Sequence, residues 1–419
     1  MLSAVLLVLP LLGCRFAGAV PNGQQSRSNL PKSSGGIAMP DFSQYIDMRT
    51  LTREDLDVDA RRQVLFVGDI TGCSIHSSQS LYRYFGRMLS VVCRQLLAKA
   101  RYDPRRDTLI HTGDIITRGV DSLGVLDWLS SHNILGVRGN NDQKVLEWRG
   151  WIEWVSSHRG GGNERWMRFP IPSRWFFNGE VFHVAKIMTA KHYKYLLYLP
   201  VTLHLAPLHT LVVHAGLLPM DPTREPTSKS QPLAHLPKVH HPKPPTHLLR
   251  LAQEAAIVAE VPQNTEPWAR LNMRSILEDG TVSRRSKAGE PWPVMWNAVM
   301  DMCDGFDSFT DMGNRQNGQL ILNQKPKIKL PCHPVTVVYG HSAAHGLDIN
   351  RWSKGIDTGC GYGRELTALI LPSEHKHFLD EGLHAEDVEE TPFSDNRVAR
   401  VLRVRCVDDS FAPSYNGTQ

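Results

Sequence analysis

The sequence predicts an α/β protein, and the stretch from Thr108 to Asp142 carries most of that reading. Thr108 to Thr112 is a β-branched, apolar run stopped by Gly113-Asp114. Val125 to Leu129 has helical spacing, and Ile134 to Val137 is a second apolar run stopped by Gly139-Asn140. Together these make one βαβ unit, whose parallel strands place their carboxyl ends on one edge of a sheet. Ligands of open α/β sheets bind along that edge, so Asp114 and Asn140 are expected side by side there. Arg118, between them in sequence, can bring a planar fork for phosphate to the same place.

The remaining elements extend the pattern. Gln63 to Val67 reads as a buried strand ended by Gly68-Asp69, and Arg94 to Ala100 as the last turns of the helix that returns from it. Gln143 to Trp154 is helical, Gly160 to Gly162 is a loop, and Ala185 to Tyr198 reads as one helix. Val201 to Leu205 and His209 to Val213 pair as a hairpin that ends in His214-Ala215-Gly216. Pro219 to His247 is Pro- and His-rich loop, Leu248 to Glu260 and Trp292 to Cys303 are helices, and Phe306 to Lys329 is polar and unpatterned. Val335 to Tyr339 is a buried strand ending in Gly340-His341; Leu366 to Leu371 and Val398 to Cys406 are late strands. No internal repeat is visible. The domain is therefore expected over 63–406, with 220–330 as a loop-rich insertion and 407–419 as a tail.

Composition bounds the function. The chain has 419 residues, 41% hydrophobic and 21% charged, which is ordinary for a globular protein with ample core. The net charge of +5 is mild and not gathered in runs, which argues against nucleic acid as a partner and suits an anionic substrate. Leu2 to Gly13 is a compact apolar run, and Ala17-Gly18-Ala19 is a small-x-small cleavage pattern. Residues 1–19 thus read as a secretory signal peptide or a signal anchor, with 20–62 as linker and lead-in. Either leader sends the rest to the secretory route, to a vacuolar lumen or membrane or out of the cell, and membrane contact is expected only through that anchor. Asn416-Gly417-Thr418 is a glycosylation sequon in the tail. The seven cysteines include no CxxC pair, so cysteine is not expected to hold a metal. Cys303, Cys332, Cys360 and Cys406 are open to a disulfide whose pairing the spacing leaves unassigned.

Five strand ends now stand out: Asp69, Asp114, Asn140, His214 and His341. Singly, the histidines read as satisfied polar residues at glycine turns and the aspartates as helix caps. Jointly, two carboxylates, one amide and two imidazoles suit two divalent ions about 3.5–4 Å apart.

The motifs GDIT (68–71), GDIITRG (113–119), GNND (139–142), HAG (214–216) and GHS (340–342) resemble those of the calcineurin-like metallophosphoesterases. The surrounding stretches VRGNNDQKVLEWR, YLPVTLHLAPLHTLVVHAGLLPMDP, NMRSIL and VVYGHSAAHGLDINRWSKGIDTGCGYGRELTAL look like the fungal branch of the ApaH-like phosphatases. That branch includes the zinc-dependent vacuolar endopolyphosphatase of yeast. The resemblance covers Arg62 to Cys406 and implies a four-layer α/β/β/α sandwich with two mixed sheets. It further implies that Asp114 bridges two metals, zinc or manganese, that Asp69 holds the first, and that Asn140, His214 and His341 hold the second. Arg118 would grip the substrate phosphate, with Arg274 as a second candidate, and Asn141 and Asp142 would be catalytic residues with Arg118. The implied reaction is in-line attack on phosphorus, with inorganic polyphosphate the favoured substrate. A dinucleoside polyphosphate or a phosphoprotein is the alternative substrate, and a non-catalytic pseudophosphatase is the reading of another class.

Two positions depart from the family pattern. Thr71 stands where a metal-binding histidine belongs, and Asn141 where the family keeps a histidine that protonates the leaving group. Threonine is a poor neutral donor, so the first metal site is expected to be the weaker. Cys73 to Cys93 lengthens the crossover directly behind a metal ligand, and reads as translated intron or as an insertion peculiar to this chain.

Overall fold

The computed structural model describes residues 39–57, 63–71, 91–119, 121–157, 170–172, 175–177, 179–308, 328–372 and 389–406. The leader, most of the linker, the Cys73 to Cys93 stretch up to residue 90, the glycine loop at 160–162, residues 309–327 and the tail with its sequon lie outside them. Contacts divide the chain into Met1–Asp41, of which only the last three residues are described, and Phe42–Gln419, which contains every element below.

In chain order the strands are β1 (Ile46–Leu51), β2 (Gln63–Val67), β3 (Asp107–His111), β4 (Leu135–Gly136), β5 (Pro200–Leu205), β6 (Thr210–Val213), β7 (Ser275–Ile276), β8 (Val282–Ser283), β9 (Glu290–Pro291), β10 (Thr336–Tyr339), β11 (Asp348–Ile349), β12 (Ser353–Gly355), β13 (Glu365–Pro372), β14 (Glu389–Phe393) and β15 (Arg397–Arg405). The helices are α1 (Arg53–Leu56), α2 (Val91–Lys99), α3 (Ser122–Ser131), α4 (Asn140–Ser157), α5 (Glu180–Ile187), α6 (Ala190–Tyr198), α7 (Thr246–Glu260), α8 (Pro262–Thr265), α9 (Pro267–Asn272) and α10 (Trp292–Met300). One six-stranded sheet runs β14-β15-β13-β2-β3-β4, the other β1-β5-β6-β10-β12-β11, and both are mixed.

Alternation along each strand assigns the layers. In β2, Leu65 and Val67 join a core with Leu96 of α2, Leu126 of α3 and Val145 of α4, while Val64 and Phe66 turn to the opposite face. There they meet Leu203 and Val212 of the second sheet. On that sheet's far side, Leu211, Val213 and Val337 pack against Ile257 of α7 and Trp296 of α10. Helices, sheet, sheet and helices therefore stack as the four-layer α/β/β/α sandwich. A polar lock sits in the second half: the fully buried Glu254 of α7 accepts from His204 at 2.6 Å and His209 at 2.8 Å, fixing the helix on the β5–β6 hairpin.

Two expectations are corrected, and two others are filled in. The lead-in contains β1, which pairs in parallel with β5; its polar alternation suits an edge strand and hid it. The single helix over Ala185 to Tyr198 is two, because Thr189 forms a capping box with His192 that starts α6 anew. Within 220–330 the two expected helices stand as α7 and α10, and α8, α9 and a small three-stranded sheet, β8-β7-β9, lie between them. The open cysteine question resolves as two disulfides, Cys303–Cys332 and Cys360–Cys406.

Candidate metal centre and active site

Six side chains meet where the sheets present their carboxyl ends. Asp69, Asp114 and Asn140 follow the parallel strands β2, β3 and β4; His214, His341 and Asp357 follow the parallel strands β6, β10 and β12. Oxygens of Asp69 and Asp114 and a ring nitrogen of His214 lie within 4.8 Å of one another. His214 Nε2 stands 3.5 Å from Asp114 Oδ1, 3.0 Å from Asn140 Oδ1 and 3.1 Å from His341 Nδ1.

The backbone is bent to make this convergence. Of the ten non-glycine residues with positive φ among the described residues, five are Thr71, Asp114, Thr117, Arg118 and His341. Such strain persists where the surroundings hold it, and it gathers at functional sites. Two motif glycines are spacers: a Cβ on Gly139 would lie 2.1 Å from the Asp114 nitrogen, and one on Gly340 2.0 Å from Asp69 Oδ1. The carboxylates are then oriented by donors. The His341 N–H reaches both Asp69 oxygens at 3.1 Å, while the Asn141 N–H and side-chain amide hold Asp114 at 2.8 and 2.6 Å.

The donor set fits a divalent cation. His214 donates through Nδ1 to the Thr112 carbonyl at 2.9 Å, and His341 through Nε2 to the Asn272 carbonyl at 3.2 Å. These bonds assign the tautomers, leaving two ring nitrogens, both acceptors, facing each other. Burial, with His214 and Arg274 nearby, holds His341 well below the usual histidine range. Burial, then Asp357 and Asp114, pushes the Asp69 carboxyl well above its ordinary range. Burial raises Asp357 as well. Neither carboxylate forms an ion pair among the described residues. Buried oxygens that repel one another, beside facing imidazole lone pairs, are a cation site by chemistry.

The expected residues fall into three groups. Asp69, Asp114, Asn140, His214 and His341 come together. Arg118 is exposed at the mouth: its guanidinium donates to the Tyr362 hydroxyl and lies 5.0 Å from that ring's centre. Arg274 is anchored beside the site, donating to the carbonyls of His341 at 2.9 Å and Arg284 at 3.0 Å. Asp142 is fully buried, and its oxygens accept the N–H groups of Ile115 and Gly139 at 3.2 and 2.8 Å. It ties the Asp114 and Asn140 loops together, and burial, then Asp114, pushes it up to about 7. Asn141 orients Asp114 and accepts from Lys144 Nζ at 3.0 Å. Thr71 is buried, its N–H bonded to the Asp114 carbonyl at 2.8 Å, and its hydroxyl finds no hydrogen-bond partner among the described residues.

Three neighbours escaped the sequence reading. Asp357 follows a three-residue strand, too short to read, although its Gly355-Ile356-Asp357 repeats the glycine-and-acid signal of the other strand ends. Lys144 is one helical turn beyond Asn141 and shares its face of α4, a spacing that could have found it. Tyr362, 58% exposed, meets Arg118 across 244 positions of sequence, which left no local signal.

The donor set gathered at the sheet edges fits a metal ion. Residues 62–268 match the family model described as calcineurin-like phosphoesterase. The chain is similar to a symmetrical bis(5'-nucleosyl)-tetraphosphatase of Methylobacillus flagellatus, 26% identical over 326 residues, or 73% of this chain and 90% of the relative. It is also similar to serine/threonine-protein phosphatase 1 of Salmonella typhimurium, 38% identical over 88 residues, which span 21% of this chain and only 33% of that relative. A crystal structure of a proposed diadenosine tetraphosphatase aligns with a TM-score of 0.44 and 20% identity, covering 78% of this chain and 95% of the other.

Proposed function

We propose that the chain is a divalent-metal-dependent phosphohydrolase that cleaves phosphoanhydride bonds in linear phosphate chains, with inorganic polyphosphate as the favoured substrate. The observation that carries this is the convergence of Asp114, Asn140, His214 and His341 around one point, with Asp69 beside it and an exposed arginine at the mouth. Bound divalent metal, manganese or zinc, supplies positive charge to the phosphoryl group and activates water. The rest falls to this chain's side chains. Arg118 binds a phosphoryl oxygen as a planar fork, steadied by Tyr362. Asn141 holds both Asp114 oxygens in place, and Arg274 fixes the His341 loop. The site lacks an imidazole acid at position 141, and a phosphate leaving group needs little protonation, which favours an anhydride over an alkyl ester. Four donors on one side, against Asp69, the shared Asp114 and a bare hydroxyl at Thr71 on the other, support one tight and one weak metal.

A dinucleoside polyphosphate is the second reading, supported by the Methylobacillus relative and by the exposed Tyr362 ring beside Arg118, a surface on which a base can stack. The two disulfides support passage through an oxidising compartment, in line with the leader expected over residues 1–19 and a vacuolar or secreted destination. The test is phosphate release from polyphosphate, diadenosine tetraphosphate and a phosphopeptide under zinc, manganese, cobalt or magnesium. Release from the first supports the reading, and release from the second alone moves it to the nucleotide. No release from any substrate under any metal sinks it in favour of a pseudophosphatase.

A further inference from the structure

We infer that Lys144 and Arg284 form a distal-phosphate subsite that selects linear anhydride-linked chains of three or more phosphates over single phosphate groups. This rests on the phosphohydrolase reading and extends it outward from the metal centre. Four cations surround the mouth: Arg118, Lys144, Arg274 and Arg284. Among the described residues none of the four forms an ion pair.

The four are held close to one another. Arg274 bonds the carbonyl of Arg284 and so places that residue beside the His341 loop. Lys144 is tied through Asn141 to Asp114. Desolvation lowers the Lys144 ammonium below the ordinary lysine range, and among its charged neighbours Asp114 and Glu147 oppose that shift while Arg118 and Arg284 add to it. Like charges gathered at the mouth repel one another; Asp114 and Glu147 beside Lys144, and Asp357, Asp69 and Asp114 beside Arg274, attract them, and an anion between the cations adds to that attraction. A single phosphoryl group is met by the metal centre and Arg118, which leaves the exposed Lys144 and Arg284 unneutralised. Each further phosphate along a chain brings one more negative charge outward, where these two stand.

The experiment is isothermal titration of the full chain with manganese, using orthophosphate and the non-hydrolysable methylene-bridged analogue of tripolyphosphate. Wild type should bind the analogue at least about tenfold tighter than orthophosphate. Lys144→Gln and Arg284→Gln should each weaken the analogue about fivefold and change orthophosphate by less than about twofold, with Lys144→Arg restoring most of the loss. Equal weakening of both ligands, or no weakening of the analogue, overturns the subsite. Because both residues are exposed, matched melting temperatures identify the variants as folded. Binding is read without turnover, so a chain that prefers the analogue yet releases no phosphate refutes the hydrolase reading and leaves the subsite standing.

Discussion

His111 offers a quantitative test of how the site strand is held. It ends β3, is fully buried, and lies 3.0 Å from the Tyr195 hydroxyl through Nε2. That hydroxyl donates to the Ile134 carbonyl at 2.8 Å, so Nε2 must donate to it. Nδ1 accepts the Gly113 N–H at 3.2 Å. The neutral ring is therefore satisfied, and a second proton on Nδ1 would face another donor. Burial first, with His214 adding, pushes the imidazole down to about 3 from 6.5. A depressed folded value means that the unfolded chain takes up the proton first. The stability His111 contributes is thus present above about pH 6.5 and is lost as pH falls towards 3. At about 1.4 kcal/mol per pKa unit, the loss between about pH 7 and pH 5 is about 2 kcal/mol. Urea unfolding of wild type and His111→Gln at these two pH values, in the presence of chelator, measures it, since all other titrating groups are shared. The variant's pH slope should be shallower by about 2 kcal/mol. Parallel slopes would refute the reasoning.

The metal centre should be asymmetric: elemental analysis of the purified chain should find nearer one than two ions, with Asp114→Ala stripping the protein and Asp69→Ala altering only the weaker site. Two tightly held ions per chain would contradict the role given to Thr71. Gly139→Ala drives a methyl group into the Asp114 loop, and kcat should fall about a hundredfold, with metal content falling in parallel. Glu254→Leu removes the buried carboxylate that receives His204 and His209, and denaturant titration should show a loss of about 3 kcal/mol or more. Cys360→Ser frees the turn that carries Tyr362 and should raise KM several-fold more than it lowers kcat; an unchanged KM would dissociate that turn from Arg118.

Legibility followed the range of the physical signal. Strand ends were readable because a buried parallel strand is a continuous apolar run and a glycine with a polar residue stops it, which brought out all five candidate ligands. Elements whose stability comes from partners were not readable. β1 is polar and gains its place from β5, β4 shrinks to two residues, and the Met188-Thr189 break depends on a cap formed by His192. The position of Asp142 in GNND says nothing about its burial, and only the structure shows its oxygens taken by the backbone. Lys144, Arg284 and Tyr362 join the site through space, from α4, the small sheet's loop and the turn after β12.

The order of strands in the first sheet has a consequence for how the chain assembles. β2, which carries Asp69, is flanked by β3 on one side and on the other by β13, roughly three hundred positions later in the sequence. Until residues 365–372 emerge, the VLFV edge of β2 has no partner, and an apolar strand with open N–H and C=O groups is an invitation to pair with another chain. His341 and Asp357 also arrive late, so the cation cannot brace the early βαβ unit during synthesis. Shortened forms that stop before β13 should therefore aggregate instead of retaining partial activity. The nascent protein depends on whatever shields that edge while the second half of the sandwich is made.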